Sequence, residues 1–188
     1  MTKRFKKISE ETVGTNKFWE YKHDVFELPD GEQRDYYYGE SGGGAMVVPI
    51  LDDGRLVLVM QQRYLRDKQS VEFPCGGLNQ DESPQEGAAR ELLEETGFVS
   101  TNYVKSGTFD PLIGMFKNTA HVFIADELVK ETEQRLDDAE MMEVMYRRVD
   151  EFEDMIRRGE IWDGTTLAAW ALSREQVIKK IYERQQQG

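Results

Sequence analysis

The spacing of apolar and polar residues predicts short strands interrupted by one central helix and closed by two more. Residues 18–28 predict a strand that turns at Pro29-Asp30-Gly31, and residues 34–39 return beside it as a hairpin. Ser41-Gly42-Gly43-Gly44 then breaks the pattern as a short flexible link. Residues 45–51 predict a buried strand, turned by Asp52-Asp53-Gly54 into residues 55–61, whose centre is the apolar run LVLVM. Residues 70–73 predict a short strand, and further strands are expected at about 103–109, 119–125 and 143–149. The basic start (Lys3, Arg4, Lys6, Lys7) reads as a solvated tail or edge strand.

The central helix has strong local signals. Ser83 can cap, Pro84 suits the first helical position, and Glu86 stands where a capping box places its carboxylate. Gly97 is a natural stop, so the helix should run over residues 84–96. Farther on, Asp150 and Glu153 begin a helix that Gly159 ends. A last helix, at about 165–184, carries Leu167, Trp170, Ala171, Val177, Ile178 and Ile181 at helical spacing, with Trp170 expected in the core. The order of elements favours an α/β layered fold with a mixed sheet. The organisation expected is a small N-terminal antiparallel β-hairpin element over residues 1–44 and a main domain over residues 45–188.

Composition narrows the function. With 39% hydrophobic and 32% charged residues, the chain suits a soluble globular protein rather than a disordered one. A net charge of −12 argues against general nucleic-acid binding, which needs a basic footprint. Cys75 is the only cysteine, so no internal disulfide can form, and a cytoplasmic location is expected. His23 and His121 lack zinc spacing. No stretch approaches a membrane span, so neither nucleic acid nor membrane is an expected partner.

The central helix carries the chemistry. At about 100° per residue, Glu91, Glu94 and Glu95 fall on one side, while Ala88, Ala89, Leu92 and Leu93 form a neighbouring apolar arc that would pack on a sheet. Gly87 lies on the carboxylate side, where it leaves room for backbone or a ligand. Three clustered carboxylates repel one another, and a hard divalent cation such as Mg²⁺ or Mn²⁺ would relieve that repulsion and bridge to phosphates. Arg90 stands four residues from both Glu86 and Glu94, so it can clamp a carboxylate in one rotamer.

Residues 76–98, GGLNQDESPQEGAARELLEETGF, match the frame G-x5-E-x7-R-E-U-x-E-E-x-G-U throughout, U being aliphatic or aromatic. Gly76, Glu82, Arg90, Glu91, Glu94, Glu95 and Gly97 hold the fixed positions, with Leu92 and Phe98 in the apolar slots. This segment resembles the Nudix box, the signature of hydrolases that cut a nucleoside diphosphate linked to another moiety. The resemblance implies an α/β/α sandwich with a mixed sheet. It also implies catalytic roles for Glu95, Glu94, Glu91 and Arg90, and a metal held by Glu91, Glu94, Glu95 and the Cys75 backbone carbonyl.

Outside the box, Gln62-Arg63-Tyr64 and Glu72-Phe73-Pro74-Cys75-Gly76-Gly77-Leu78 are similar to segments of the ADP-ribose and nucleoside-diphosphate-sugar pyrophosphatases of that superfamily. Pro111 stands near a proline these enzymes often carry, although Asp110-Pro111-Leu112-Ile113-Gly114 departs from their usual run. The likeness implies that Arg63 contacts a phosphate and that Glu72 helps hold the terminal moiety or the diphosphate. Glu140 would act as general base, with Asp138 and Glu143 as rivals. Phe18, Trp19 and Tyr36 would stack on adenine across a homodimer. The expected activity is Mg²⁺-dependent hydrolysis of ADP-ribose or a related nucleoside diphosphate sugar to a nucleoside monophosphate and a sugar phosphate. The alternatives are another nucleoside diphosphate derivative (GDP-mannose, a coenzyme A, a dinucleoside polyphosphate) or a non-catalytic ADP-ribose sensor.

Overall fold

The computed structural model describes residues 4–134 and 141–186. In chain order its strands begin with β1 (Lys6–Thr15), β2 (Glu20–Glu27), β3 (Gln33–Glu40), β4 (Gly44–Pro49), β5 (Leu56–Arg63), β6 (Lys68–Glu72) and β7 (Cys75–Gly77). Helix α1 (Pro84–Thr96) follows, then β8 (Phe98–Val99), β9 (Asn102–Phe109), β10 (Phe116–Lys117), β11 (Ala120–Asp126), β12 (Val129–Lys130) and β13 (Met142–Arg147). Helices α2 (Val149–Arg157) and α3 (Gly164–Gln185) close the chain. Two compact units result. One comprises residues up to Gly43 together with Asp110–Thr119, and the other Gly44–Phe109 with the residues from Ala120 onward.

The first unit is a sheet of order β1-β2-β3-β10. The expected hairpin is present as β2 and β3, paired antiparallel from Glu20↔Glu40 to Glu27↔Gln33. It is flanked by two strands that periodicity did not predict, β1 antiparallel to β2 and β10 parallel to β3. Every β1 position is exposed, so no face needed an apolar row and no alternation marked it. Cross-strand polar contacts add to its ladder. Lys7 Nζ lies 2.8 Å from Asp24, and the His23 ring is held between Glu11 at 2.9 Å and Asp35 at 2.7 Å.

The second unit shows why alternating residues make a layered fold. Its central sheet runs β7-β4-β11-β9, with β4 parallel to β11 and the outer pairs antiparallel. On β4, Ala45 and Val47 join one buried cluster with Ala88 and Leu92 of α1. Their neighbours Met46, Val48 and Ile50 join the other, with Phe152 of α2 and Trp170 and Val177 of α3. β11 divides the same way, Phe123 and Ala125 toward α1, Val122 and Ile124 toward α2 and α3. The period of two along each strand thus feeds two cores. Each fully buried aliphatic side chain contributes about 1.5–3 kcal/mol. Phe73, Phe152 and Trp170 form the aromatic centre, the Phe73–Phe152 and Phe152–Trp170 ring centroids each lying 5.2 Å apart. A second sheet, β13-β5-β6, is wholly antiparallel. Among the described residues no helix is long and apolar enough to cross a membrane.

Candidate active site

Helix α1 begins and ends as its sequence predicts. Ser83 Oγ accepts from the Glu86 N–H at 3.3 Å, and Glu86 Oε2 accepts from the Ser83 N–H at 2.9 Å, completing the capping box. Gly97 takes the left-handed conformation, φ 70°, and its N–H returns to the Leu93 carbonyl. With Ala88 and Leu92 in the core, two carboxylates of the helix, Glu91 and Glu95, are themselves buried. Glu94 is the outlying member, its side chain 42% exposed.

Arg90 organises this face. Its Nε and Nη2 donate to Glu82 at 2.8 and 3.1 Å, its Nη1 to Glu91 at 2.6 Å and Glu94 at 3.0 Å, and its Nη2 also to the Gly77 carbonyl at 2.8 Å. The guanidinium is thereby held above its ordinary pKa, by Glu82 first and then against the opposing effect of burial. The Glu82 carboxyl is pushed down in turn, chiefly by Arg90. Spacing along the helix suggested Glu86 as a partner, but its carboxylate is committed to the cap. Glu82, reached through the fold-back of the preceding loop, takes that place. Glu82 stood in the sequence frame from the start; what the helix spacing missed was its role. Gly87 does not leave a vacancy either. A Cβ there would lie 2.5 Å from Leu78 Cδ2, so the space belongs to Leu78.

Strand β7 is the other wall. A Cβ on Gly76 would stand 1.9 Å from Glu91 Oε1, so glycine lets the strand pass without displacing the carboxylate. The Cys75 N–H donates to Glu95 Oε2 at 3.2 Å. Burial pushes the Cys75 thiol well above its ordinary pKa, with the Glu95 and Glu72 carboxylates adding to the effect, so its sulfur stays neutral. Its backbone, not its thiolate, is what it offers here.

Arg63 and Glu72 hold each other. Arg63 Nε donates to Glu72 Oε1 at 2.8 Å, and Nη2 bonds to Glu72 Oε2. Gln61 Nε2 donates to the same Oε2 at 3.2 Å. Glu72 is completely buried while the Arg63 side chain is 44% exposed, so the pair shows its cation to solvent and hides its anion. Gln61 is a partner that sequence reasoning missed, since only the β5–β6 pairing brings it to Glu72.

The remaining candidates fall in the first unit, on β13 or outside the described residues. Phe18, Trp19, Tyr36 and Pro111 belong to the first unit. Phe18 is 71% exposed, with Lys17 Nζ 4.6 Å from its ring centroid. Trp19 packs edge-on to Phe116, and the Tyr36 hydroxyl donates to the Gly114 carbonyl at 2.8 Å. Glu140, with Asp138, lies outside the described residues, while Glu143 is exposed on β13.

The donor set suits a hard cation. It consists of carboxylate oxygens on one helix face beside a backbone segment, with the one nearby sulfur protonated. Among the described residues no group of three or more His, Cys, Asp or Glu is gathered into a cage.

Fold and site together define an α/β protein with a carboxylate-bearing helix face ordered by one guanidinium. The NUDIX domain family model matches residues 41–170, and the chain belongs to that family. An ADP-ribose pyrophosphatase of Bacillus subtilis (strain 168) is 31% identical over 87% of this chain and 89% of its own length. A methanol dehydrogenase activator of Bacillus methanolicus is 29% identical over 93% and 95% of the two chains. Among solved structures, one titled as the crystal structure of an ADP compounds hydrolase superposes with a TM-score of 0.81, covering 94% of this chain and 96% of that one at 22% identity. That likeness shows the same fold.

Proposed function

We propose that this protein hydrolyses the diphosphate of ADP-ribose or a related nucleoside diphosphate sugar, releasing a nucleoside monophosphate and a sugar phosphate. The observation that carries this reading is the network of α1 with the loop before it, Glu82–Arg90–Glu91–Glu94, with Glu95 held by the Cys75 N–H. The near full-length similarity to an ADP-ribose pyrophosphatase supports the substrate class. Members of the family need a divalent ion, and Mg²⁺, with Mn²⁺ as a substitute, suits this oxygen set. Glu91, Glu94, Glu95 and the Cys75 carbonyl would hold it, and when bound it neutralises diphosphate charge and acidifies a water.

The protein's own groups do the rest. Arg90 fixes the rotamers of Glu91 and Glu94, which preorganises the site. Arg63, oriented by Glu72, offers a guanidinium to a phosphate oxygen. Glu140 takes the proton of the attacking water as the P–O bond of the diphosphate breaks. Phe18, Trp19 and Tyr36 supply rings for adenine stacking in a homodimer, and Pro111 contributes to substrate binding. A cytoplasmic location goes with this substrate.

The test is a panel of ADP-ribose, GDP-mannose and UDP-glucose incubated with Mg²⁺ or Mn²⁺, with products identified by phosphorus NMR. AMP and ribose 5-phosphate from ADP-ribose are expected. Glu94→Gln and Glu95→Gln should each lower turnover by about 10³-fold or more while the circular dichroism spectrum is kept. Normal hydrolysis by both variants would overturn the assignment. The likeness to a methanol dehydrogenase activator supports a second reading, action upon another enzyme, and no cleavage anywhere on the panel would favour it.

A further inference from the structure

The last turn of α1 carries Glu94 and Glu95 and ends where a helix is least satisfied. Its final carbonyls have no intrahelical donors, and the negative end of its dipole lies beside these two carboxylates. Donors from the segment of β12 and the residues after it meet that end. Lys130 Nζ donates to the Thr96 carbonyl at 2.8 Å, and Gln134 Nε2 donates to the carbonyl of Glu95 itself at 2.6 Å. The backbone N–H groups of Glu131 and Thr132 reach the Gly97 carbonyl at 2.9 and 3.3 Å. The Lys130 ammonium also lies 5.2 Å from the Phe98 ring centroid. Gly97 admits this segment: a Cβ there would lie 2.0 Å from the Thr132 carbonyl oxygen and 2.8 Å from Lys130 Nζ.

Lys130 is exposed and Gln134 half-buried, so neither acts by filling the core. What both provide is a donor to a carbonyl of the turn that bears the two glutamates, and Lys130 adds a positive charge at the end of the helix that most needs one. Neither belongs to the sequence frame of residues 76–98. We propose that Lys130 and Gln134 are positioning residues. They hold the Glu94–Glu95 turn in the geometry a divalent ion requires, and the charge of Lys130 offsets the repulsion of two carboxylates at a helix C-terminus. The inference rests on the metal-dependent reading above.

The test measures metal binding without turnover. Mn²⁺ is titrated into the wild type, Lys130→Met, Gln134→Ala, the double variant and Lys130→Arg, and free ion is followed by electron paramagnetic resonance. The double variant should bind Mn²⁺ about tenfold more weakly. Its KM for ADP-ribose at saturating Mn²⁺ should stay within about twofold, because these side chains support a ligand rather than substrate. Lys130→Arg should restore binding, since it keeps both donor and charge. The single variants carry the test if the double variant does not fold. Mn²⁺ affinity unchanged in the variants, with the wild type binding normally, would overturn this proposal alone. Lys130→Arg binding as weakly as Lys130→Met would remove Lys130 from it. A wild type that binds no Mn²⁺ and cleaves nothing would overturn the reading of the site, and this inference with it.

Discussion

Gly76→Ala tests the packing of the site most directly. A Cβ at this position would stand 1.9 Å from Glu91 Oε1 and 2.7 Å from Oε2, whereas ordinary contact begins at 3.4 Å. Either the carboxylate or the strand must retreat by roughly 1.5 Å. The strand is tied down, since Gly76 pairs with Ala45 in the β7–β4 ladder. The carboxylate is tied too, being 8% exposed and bonded to Arg90 at 2.6 Å. Losing a hydrogen bond to a charged group removes about 1.5–3 kcal/mol, and crowding a packed site costs about 1–3 kcal/mol. These effects overlap, so about 2–4 kcal/mol is expected, a fall of about 5–12 °C in melting temperature for a chain of this size. A displacement on this scale should also lower kcat for ADP-ribose about a hundredfold. Gly77→Ala is the control. Its Cβ would meet nothing within 4 Å, and its φ is not in the left-handed region. It should therefore change stability by less than about 0.5 kcal/mol. Calorimetry and steady-state kinetics on both variants decide the matter. Wild-type kcat in Gly76→Ala, or equal losses in the two variants, would refute the reasoning.

Other outcomes follow from the same geometry. Arg90→Lys keeps the charge but not the fork that reaches Glu82, Glu91, Glu94 and the Gly77 carbonyl, so kcat should fall about a hundredfold; wild-type kinetics would show that charge alone suffices. Cys75→Ala should keep kcat/KM within about threefold, because a half-buried neutral thiol is a poor nucleophile and the backbone N–H to Glu95 survives. A large loss would return the sulfur to the chemistry. The Glu82 carboxyl is depressed below its ordinary 4.5, chiefly by Arg90, so its folded value lies under its unfolded one. Its contribution is complete above the unfolded value and drains as pH falls through the folded one, from about pH 5 downward. Chemical denaturation across that range should show a shallower loss for Glu82→Gln than for the wild type, and identical slopes would contradict the assignment.

The elements the sequence revealed best are those decided within a few residues. Helix α1 runs over Pro84–Thr96 as predicted because its cap, its proline and its terminal glycine all act locally. β4, β5 and β11 were legible because burial on both faces demanded continuous apolar runs. Helix α2 was legible from Asp150 and Glu153 at its start and Gly159 at its end, and α3 from its apolar spacing. β1 was legible only as the edge-strand alternative for its basic start, and its extent was not, since none of its positions is buried and no apolar alternation marks it. β10 was not either, because two residues carry no period.

The candidate site divides along the same line. Which side of α1 carries Glu91, Glu94 and Glu95 was determined by the sequence alone, because helical geometry converts spacing into direction. Which carboxylate Arg90 takes was decided only in three dimensions, where Glu86 is held by its cap and Glu82 folds back from the loop. The mutual grip of Arg63 and Glu72, the glycine that lets β7 pass Glu91, and the donors that Lys130 and Gln134 bring to the end of α1 were decided there as well. Each joins segments distant along the chain, and such meetings depend on strand pairing and packing that no local pattern encodes.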